Sequence, residues 1–420
     1  MSNTNLVPRR RFKEFQNTGA WEQRKFSETF IYLQNNSLSR ADLNYEQGLV
    51  KNVHYGDVLI KFGEILDVEK AEIPFISSNE FTVSSTSLLQ NGDVIIADAA
   101  EDETVGKCSE IKGIDGTSVV SGLHTIPCRP NKTFASGYLG FYLNSSAYHD
   151  QLLPLMQGTK ISSISKSALQ NTDILYPDSE QEQLQIGQFF QSLDNLITVH
   201  QHKLEKIKSL KSAYLSEMFP AEGERDPKRR FAGFTSAWEQ KKLKDISTYS
   251  NGGSFENDVK EKGRYELITL KSVDMSGNLV HSGRYVDIEV PTLIKGTLVM
   301  ILSEQSPGLL GMTAQIPKDN AYVLNQRVAE IRPNQNVDGY FLSMAINRNQ
   351  QYFSRCGAGT KVQNISKSNV ENYEFLCPLL EEQQKIGTFF KCLDNLITLQ
   401  ERKLEKLQNI KKAYLNEMFI

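Results

Sequence analysis

A stretch of 34 residues occurs twice in this chain, and no other feature limits its possible folds so tightly. Residues 186–219 open with Ile186-Gly187-Gln188-Phe189-Phe190 and end with Glu217-Met218-Phe219. Residues 386–419 open with Ile386-Gly387-Thr388-Phe389-Phe390 and end with Glu417-Met418-Phe419, 200 positions later and without a gap, and 21 of the 34 positions are identical. Apolar residues at Ile186, Phe190, Leu193, Ile197, Leu204 and Ile207 return as Ile386, Phe390, Leu393, Ile397, Leu404 and Leu407. Their steps of four and three form a heptad seam, the pattern of long helices packed on one another. Neither copy has an internal Gly or Pro after its opening turn, so each predicts one rod on the order of 50–60 Å long. His200 and Lys211 interrupt the first seam, and Gln400 and Lys411 interrupt the second. Polar groups there cost stability but fix register and orientation. Phe189, Leu196, Leu210 and Leu215 widen the apolar stripe, which predicts a further partner surface.

The rest of the chain is also written twice. Pro8-Arg9-Arg10-Arg11-Phe12 and Ala20-Trp21-Glu22-Gln23 return as Pro227-Lys228-Arg229-Arg230-Phe231 and Ala237-Trp238-Glu239-Gln240, and these are the chain's two tryptophans. Gly92 before Val94-Ile95-Ile96 answers Gly296 before Leu298-Val299-Met300, a turn glycine feeding an apolar strand in each case. Arg129-Pro130 answers Arg332-Pro333, Gly137-Tyr138 answers Gly339-Tyr340, and Gly158-Thr159-Lys160 answers Gly359-Thr360-Lys361. Short apolar runs bounded by Gly, Asp and Asn predict sheet-rich blocks. The first block has an insertion between Phe30 and Gly92.

The expected class is α+β: two mixed sheet/helix domains joined by two long antiparallel helices with a pseudo-two-fold repeat. The expected boundaries are a basic segment 1–19, a first domain 20–178, a long helix 179–219, a linker 220–236, a second domain 237–378 and a second long helix 379–420. A length of 420 residues accommodates this.

Composition excludes several classes. No apolar run approaches the roughly 20 residues of a membrane span, and no apolar core follows Arg9-Arg10-Arg11, so a cytoplasmic protein is expected. Five scattered cysteines without Cys-x-x-Cys spacing predict free thiols. The net charge of -3 gives no global pull on nucleic acid, so DNA binding needs local basic faces. There is no phosphate loop; Gly106-Lys107-Cys108-Ser109 lacks its upstream glycine and its hydroxyl. There is also no Asp/Asn-Pro-Pro-Tyr/Phe tetrapeptide and no metal-type histidine spacing. Pro177-Asp178-Ser179-Glu180 is best read as an acidic helix cap. No catalytic residue and no metal ligand is expected.

The order of these motifs, with Leu-Asp-Asn-Leu-Ile-Thr leading into Lys-Leu-Glu-Lys in both repeats, resembles the specificity subunit of type I restriction–modification enzymes over essentially the whole chain. The resemblance implies two target-recognition domains, each reading half of a bipartite, interrupted duplex DNA sequence. It implies helices that act as a ruler and dock two methyltransferase subunits. S-adenosylmethionine for adenine N6 methylation, and ATP and Mg for separate restriction/translocase subunits, would then belong to those partners and not to this chain. The rival reading is a duplicated coiled-coil scaffold that binds proteins or glycans.

Matched positions suit a sequence-independent task, so Thr159, Lys160, Lys166, Thr360, Lys361 and Lys367 are the candidates for phosphate contact. Arg9 to Arg11 and Lys228 to Arg230 are either further backbone contacts or solvated straps. Base readers should lie where the halves differ. His124 faces Arg327 in the alignment, with Gln326 beside it as a candidate, the segments 98–107 and 303–312 diverge completely, and Arg355 is a further candidate. Arg and Gln carry the donor pattern for guanine and adenine edges.

Overall fold

The computed structural model describes residues 6–78, 81–304 and 308–420. Residues 1–5 of the basic segment and 305–307 of the expected reader segment therefore lie outside the described residues. The chain divides into two compact units, Met1–His202 with Arg402–Ile420, and Lys203–Glu401. The two 34-residue copies lie within continuous helices, Glu180–Glu217 and Leu380–Met418. Each helix gives its first part to the unit that precedes it in sequence and its last part to the other.

Within each unit the two helical segments run antiparallel, as the pairings show. In unit 1 Phe189 meets Tyr414 edge-on at 5.1 Å and Asp194 pairs with Lys411 at 2.7 Å. In unit 2 Phe389 meets Tyr214 at 5.1 Å, Asp394 pairs with Lys211 at 2.6 Å and Glu401 with Lys208 at 2.7 Å. Ile186, Phe190 and Leu193 are buried in the core of unit 1, and Ile386, Phe390 and Leu393 in that of unit 2. Ile197, Leu204, Ile207, Ile397, Leu404 and Leu407 are half-buried, as a two-helix seam without a third layer requires.

Unit 1 carries a five-stranded sheet in the order Phe30–Tyr32, Thr125–Pro130, Val94–Ala97, Cys108–Lys112, Ile65–Asp67. A second sheet runs Ser118–Ser121, Val50–Val53, Phe75–Ile76, Leu43–Asn44. Unit 2 repeats the first four-strand arrangement as Ser247–Asn251, Val328–Pro333, Leu298–Ile301, Thr313–Gln315, with a three-stranded companion sheet. The additional strand Ile65–Asp67 lies between Phe30 and Gly92, the stretch in which the sequence places an insertion. Glu22–Lys25 pairs antiparallel with Asp173–Tyr176, and Glu239–Lys242 with Glu374–Cys377, closing each block where its helix begins. Short helices lie among the strands of each block and a long helix follows it, which is the mixed sheet and helix expected.

The tryptophans anchor these cores. Trp21 packs edge-on against Tyr138 and Phe419, and Trp238 against Phe341 and Phe219. The Glu-Met-Phe motif that ends each helix therefore seals the block other than the one its helix follows. The glycine of Ile-Gly-x-Phe-Phe has a steric cause. A Cβ on Gly187 would lie 2.9 Å from the Ser136 carbonyl oxygen, and one on Gly387 would lie 2.6 Å from Asp338 Oδ1. Each long helix thus docks backbone-close on the turn that starts the short helix of its own block, Tyr138–Asn144 or Gly339–Asn347.

Candidate nucleic-acid interface

Each unit switches sheets through a three-residue corner, 122–124 in unit 1 and 325–327 in unit 2. The last corner residue is left-handed in both: His124 has φ 53° and Arg327 has φ 66°. Both side chains are exposed, as is Gln326.

A backbone relay joins each corner to the repeated Gly-Thr-Lys segment. In unit 1 the Asp98 amide donates to the His124 carbonyl at 3.1 Å, and the Ile164 amide donates to the Asp98 carbonyl at 2.9 Å. In unit 2 the Leu302 amide donates to the Arg327 carbonyl at 3.0 Å, and the Ile365 amide to the Leu302 carbonyl at 2.9 Å. Residues 158–162 and 359–363 form tight returns, bridged by Gln157–Ser163 and Ala358–Asn364. Gly158 and Gly359 make these returns possible at φ 112° and 129°. A Cβ on either would lie 2.0 or 2.1 Å from a carbonyl oxygen of the same turn. Thr159, Lys160, Thr360 and Lys361 stand exposed on these returns.

Ser165 and Ser366 then cap short helices by accepting from the Ala168 and Asn369 amides. That cap places Lys166 and Lys367 in equivalent positions, 5.5 Å from the Tyr32 ring and 5.4 Å from the Tyr249 ring. The structure therefore brings His124, Lys160 and Lys166 to one edge of unit 1, and Arg327, Lys361 and Lys367 to the equivalent edge of unit 2. His124 Nδ1 lies 3.2 Å from Asp98 Oδ1 and its ring meets Tyr55 edge-on at 5.3 Å. Burial raises the Asp98 carboxyl above its usual range, against the pull of His124 and Lys166. In unit 2 Asn325 and Gln326 donate to Glu256, which lowers that carboxylate.

Two expectations change. The basic opening strips are not solvated at Arg11 and Arg230, and at Arg10 and Arg229 they are exposed but paired within the chain. Arg11 forms a two-pronged ion pair with Glu182 at 2.7 and 2.6 Å, and Arg230 does the same with Glu382 at 2.8 and 2.6 Å. Arg10 and Arg229 pair with Glu417 and Glu217 and lie over the rings of Tyr414 and Tyr214. Each strip thus grips the start of one long helix and the end of the other within its unit. The diverging segments also read differently: Ala99, Ala100, Val105, Ser303 and Glu304 are buried, and the exposed tip of the first is the acidic run Glu101-Asp102-Glu103. That tip repels phosphate. Arg355, a further candidate, stands apart from the others on the helix Gln350–Cys356, where it lines a cleft with Arg225, Trp238 and Tyr373. Among the described residues no cluster of His, Cys, Asp or Glu could hold a metal ion.

Exposed lysines on a rigid return place positive charge without sequence preference, and the corner beside them offers a different donor set in each unit. That combination supports positioning on phosphate together with selective reading. Replacing Lys361 and Lys367 together by glutamine is expected to weaken DNA binding about equally for all sequences and to reduce the salt dependence by about two units of slope. Affinity measured against salt for cognate and unrelated duplexes checks this, and a change confined to one sequence would refute it.

The family model for the type I restriction modification DNA specificity domain matches residues 45–209 and again 235–409. A protein of Methanocaldococcus jannaschii, named as the type I restriction enzyme MjaX specificity subunit, is 21% identical over 94% of this chain and 92% of its own length. The MjaVIII specificity subunit of the same organism is 24% identical over 62% of this chain and 64% of its own. The crystal structure of the type I restriction–modification S subunit from M. genitalium shares the fold with a TM-score of 0.64 at 13% identity, covering 99% of both chains. A chain from a structural study of the assembly of a type I restriction–modification system matches with a TM-score of 0.51 at 15% identity, over 95% of this chain and 97% of that one.

Proposed function

The chain belongs to the type I restriction–modification DNA specificity family, and from that premise we propose that its two blocks each read one half of a bipartite, asymmetric DNA site. As a specificity subunit it is the non-catalytic, DNA-recognising component of such a system, and it assembles with the system's other subunits. The recognition domains are taken as residues 20–178 and 237–378. The shared helices set the unread spacer and dock two adenine-N6 methyltransferase subunits. Leu196, Val199, Leu396 and Leu399 support the docking role, because they repeat at equivalent positions and remain exposed on the helices. The partners supply S-adenosylmethionine, and restriction/translocase subunits, where present, supply ATP and Mg chemistry. The complex works in the cytoplasm, where the DNA is. No helix among the described residues is long and apolar enough to cross a membrane.

One observation carries this reading: the two units present the same relay and the same lysines beside unlike exposed corner residues. The scaffold alternative has no use for such a pattern. The experiment is an exchange of residues 20–178 for the first block of another family member, followed by methylome sequencing of cells that carry the exchanged chain with its methyltransferase partner. One half of the methylated sequence should change while the other half and the spacer stay as they were. A change in both halves would reject modular reading.

A further inference from the structure

The left-handed corner residue is where the two units match in backbone and differ in chemistry. A non-glycine residue at positive φ is uncommon and strained, and such strain persists only where the surroundings impose it. Among the described residues, the non-glycine residues at positive φ are His124, Asn320 and Arg327. Two of these three therefore occupy one equivalent position in two blocks that otherwise match only at landmarks.

The surroundings do impose it. In unit 2 the Gly252 amide donates to the Val328 carbonyl and the Gly253 amide to the Leu324 carbonyl, at 3.2 and 3.0 Å, bracing both sides of the corner. In unit 1 the Gly122 amide donates to the Val53 carbonyl at 2.8 Å, and Thr125 Oγ1 donates to the Gly122 carbonyl. The relay described above then ties the carbonyl of the corner residue itself to the lysine-bearing return. All of these holding contacts are made by the backbone or by neighbours, and none uses the side chain of residue 124 or 327. The backbone is thus fixed while the side chain is left free to vary.

Glycine suits such a backbone best, since it meets no steric penalty at positive φ. The chain instead places an imidazole at one corner and a guanidinium at the other, both exposed. The Asp98 carboxylate steadies the His124 ring, while Arg327 is exposed and its charge helps to lower the Glu256 carboxylate.

We propose that the left-handed corner position, His124 in the first block and Arg327 in the second, determines base identity at one base pair of each half-site. Arg327 takes the hydrogen-bond acceptors on the major-groove edge of a guanine. His124, oriented by Asp98, selects its own base pair in the other half-site. The lysines on the adjoining return and short helix hold phosphate and fix the distance from which the corner residue reads. This proposal rests on the reading that the blocks recognise half-sites, and it adds the residue that sets the choice.

Glycine substitution separates the structural from the recognising role, because relief of strain and loss of reading move in opposite directions. The full chain, assembled with its methyltransferase partner, is used to select duplexes from a randomised library, as wild type, Arg327→Gly and His124→Gly. The wild type should return a two-part motif. R327G should keep a thermal midpoint within about 3 °C of wild type or above it. It should also lose about 10- to 100-fold of its preference at a single base pair of one half-site. H124G should do the same in the other half-site only. An unchanged motif overturns the proposal, as does a uniform loss of affinity with the motif intact, or a change in both half-sites from one substitution. A wild-type protein that selects no motif would instead remove the half-site reading itself. An R327G protein that fails to fold would show that the side chain holds the corner, and would equally overturn the proposal.

Discussion

Replacing Arg11 by methionine is expected to destabilise unit 1 by about 3–5 kcal/mol, the usual cost of removing one partner from a buried ion pair. The Arg11 side chain is 4% exposed and that of Glu182 is 1% exposed, so water cannot take over the solvation of the abandoned carboxylate. The guanidinium also donates to the Thr18 and Gly19 carbonyls at 3.2 and 3.1 Å, and these acceptors lose that donor. The double variant R11M/E182M should recover most of the loss, because it removes the desolvation cost of both charges. Arg230→Met should cost less, since Arg230 is 15% exposed and shares its charge with Asp226 at 3.6 Å. Hydrogen exchange at Val94–Ala97 and at Leu298–Ile301, compared between wild type and variants, reads the two units separately. Equal and small effects of R11M and R230M would refute this account of the opening strips.

Those strips also mark where the sequence stopped being legible. The long helices are plain because a heptad seam is local and appears twice, and the tryptophans mark two cores because aromatic anchors recur in order. The arginines misled because a basic run is ambiguous until its acidic partners are known, and those lie 171 residues away at Glu182 and 407 away at Glu417. A signal was present. Glu182, Glu217, Glu382 and Glu417 repeat in step with Arg10, Arg11, Arg229 and Arg230, and a duplicated charge calls for a duplicated counter-charge. The sheet order carried no such signal. Val50–Val53 pairs in parallel with Ser118–Ser121, and four-residue strands cannot announce a partner so far along the chain. The corner was half legible: the difference between His124 and Arg327 stood out, but an arginine does not advertise a left-handed backbone.

The seam lysines allow a sharper comparison, because two identical residues have unlike surroundings. Lys411 sits between Asp194 at 2.7 Å and Glu64 at 2.6 Å, and in unit 2 Lys211 meets Asp394 at 2.6 Å. Burial opposes the charge on Lys411, yet Glu64 and Asp194 together raise its pKa above the ordinary lysine value. Burial, with Glu64 beside it, in turn raises Asp194. Asp394 differs in that it also accepts a hydrogen bond from the Tyr340 hydroxyl. Lys411→Met therefore removes the cation held between two half-buried carboxylates, leaving Lys107 near Glu64, and should cost unit 1 about 2–4 kcal/mol at neutral pH. Lys211→Met leaves one carboxylate that keeps a hydroxyl donor, and should cost unit 2 about 1–2 kcal/mol. The pH dependence separates the cases further. A carboxyl whose folded pKa lies above its unfolded one stabilises the fold at low pH, and that contribution is lost as pH rises through the folded value. Removing Lys411 strengthens this condition at Asp194, so the K411M deficit should shrink when the pH is lowered from 7 towards 4. Denaturant titrations at the two pH values decide the matter. A K411M deficit that stayed constant or grew on acidification would mean that Lys411 contributes packing against Phe141, over whose ring it lies at 5.4 Å, and not the neutralisation of an acidic pair.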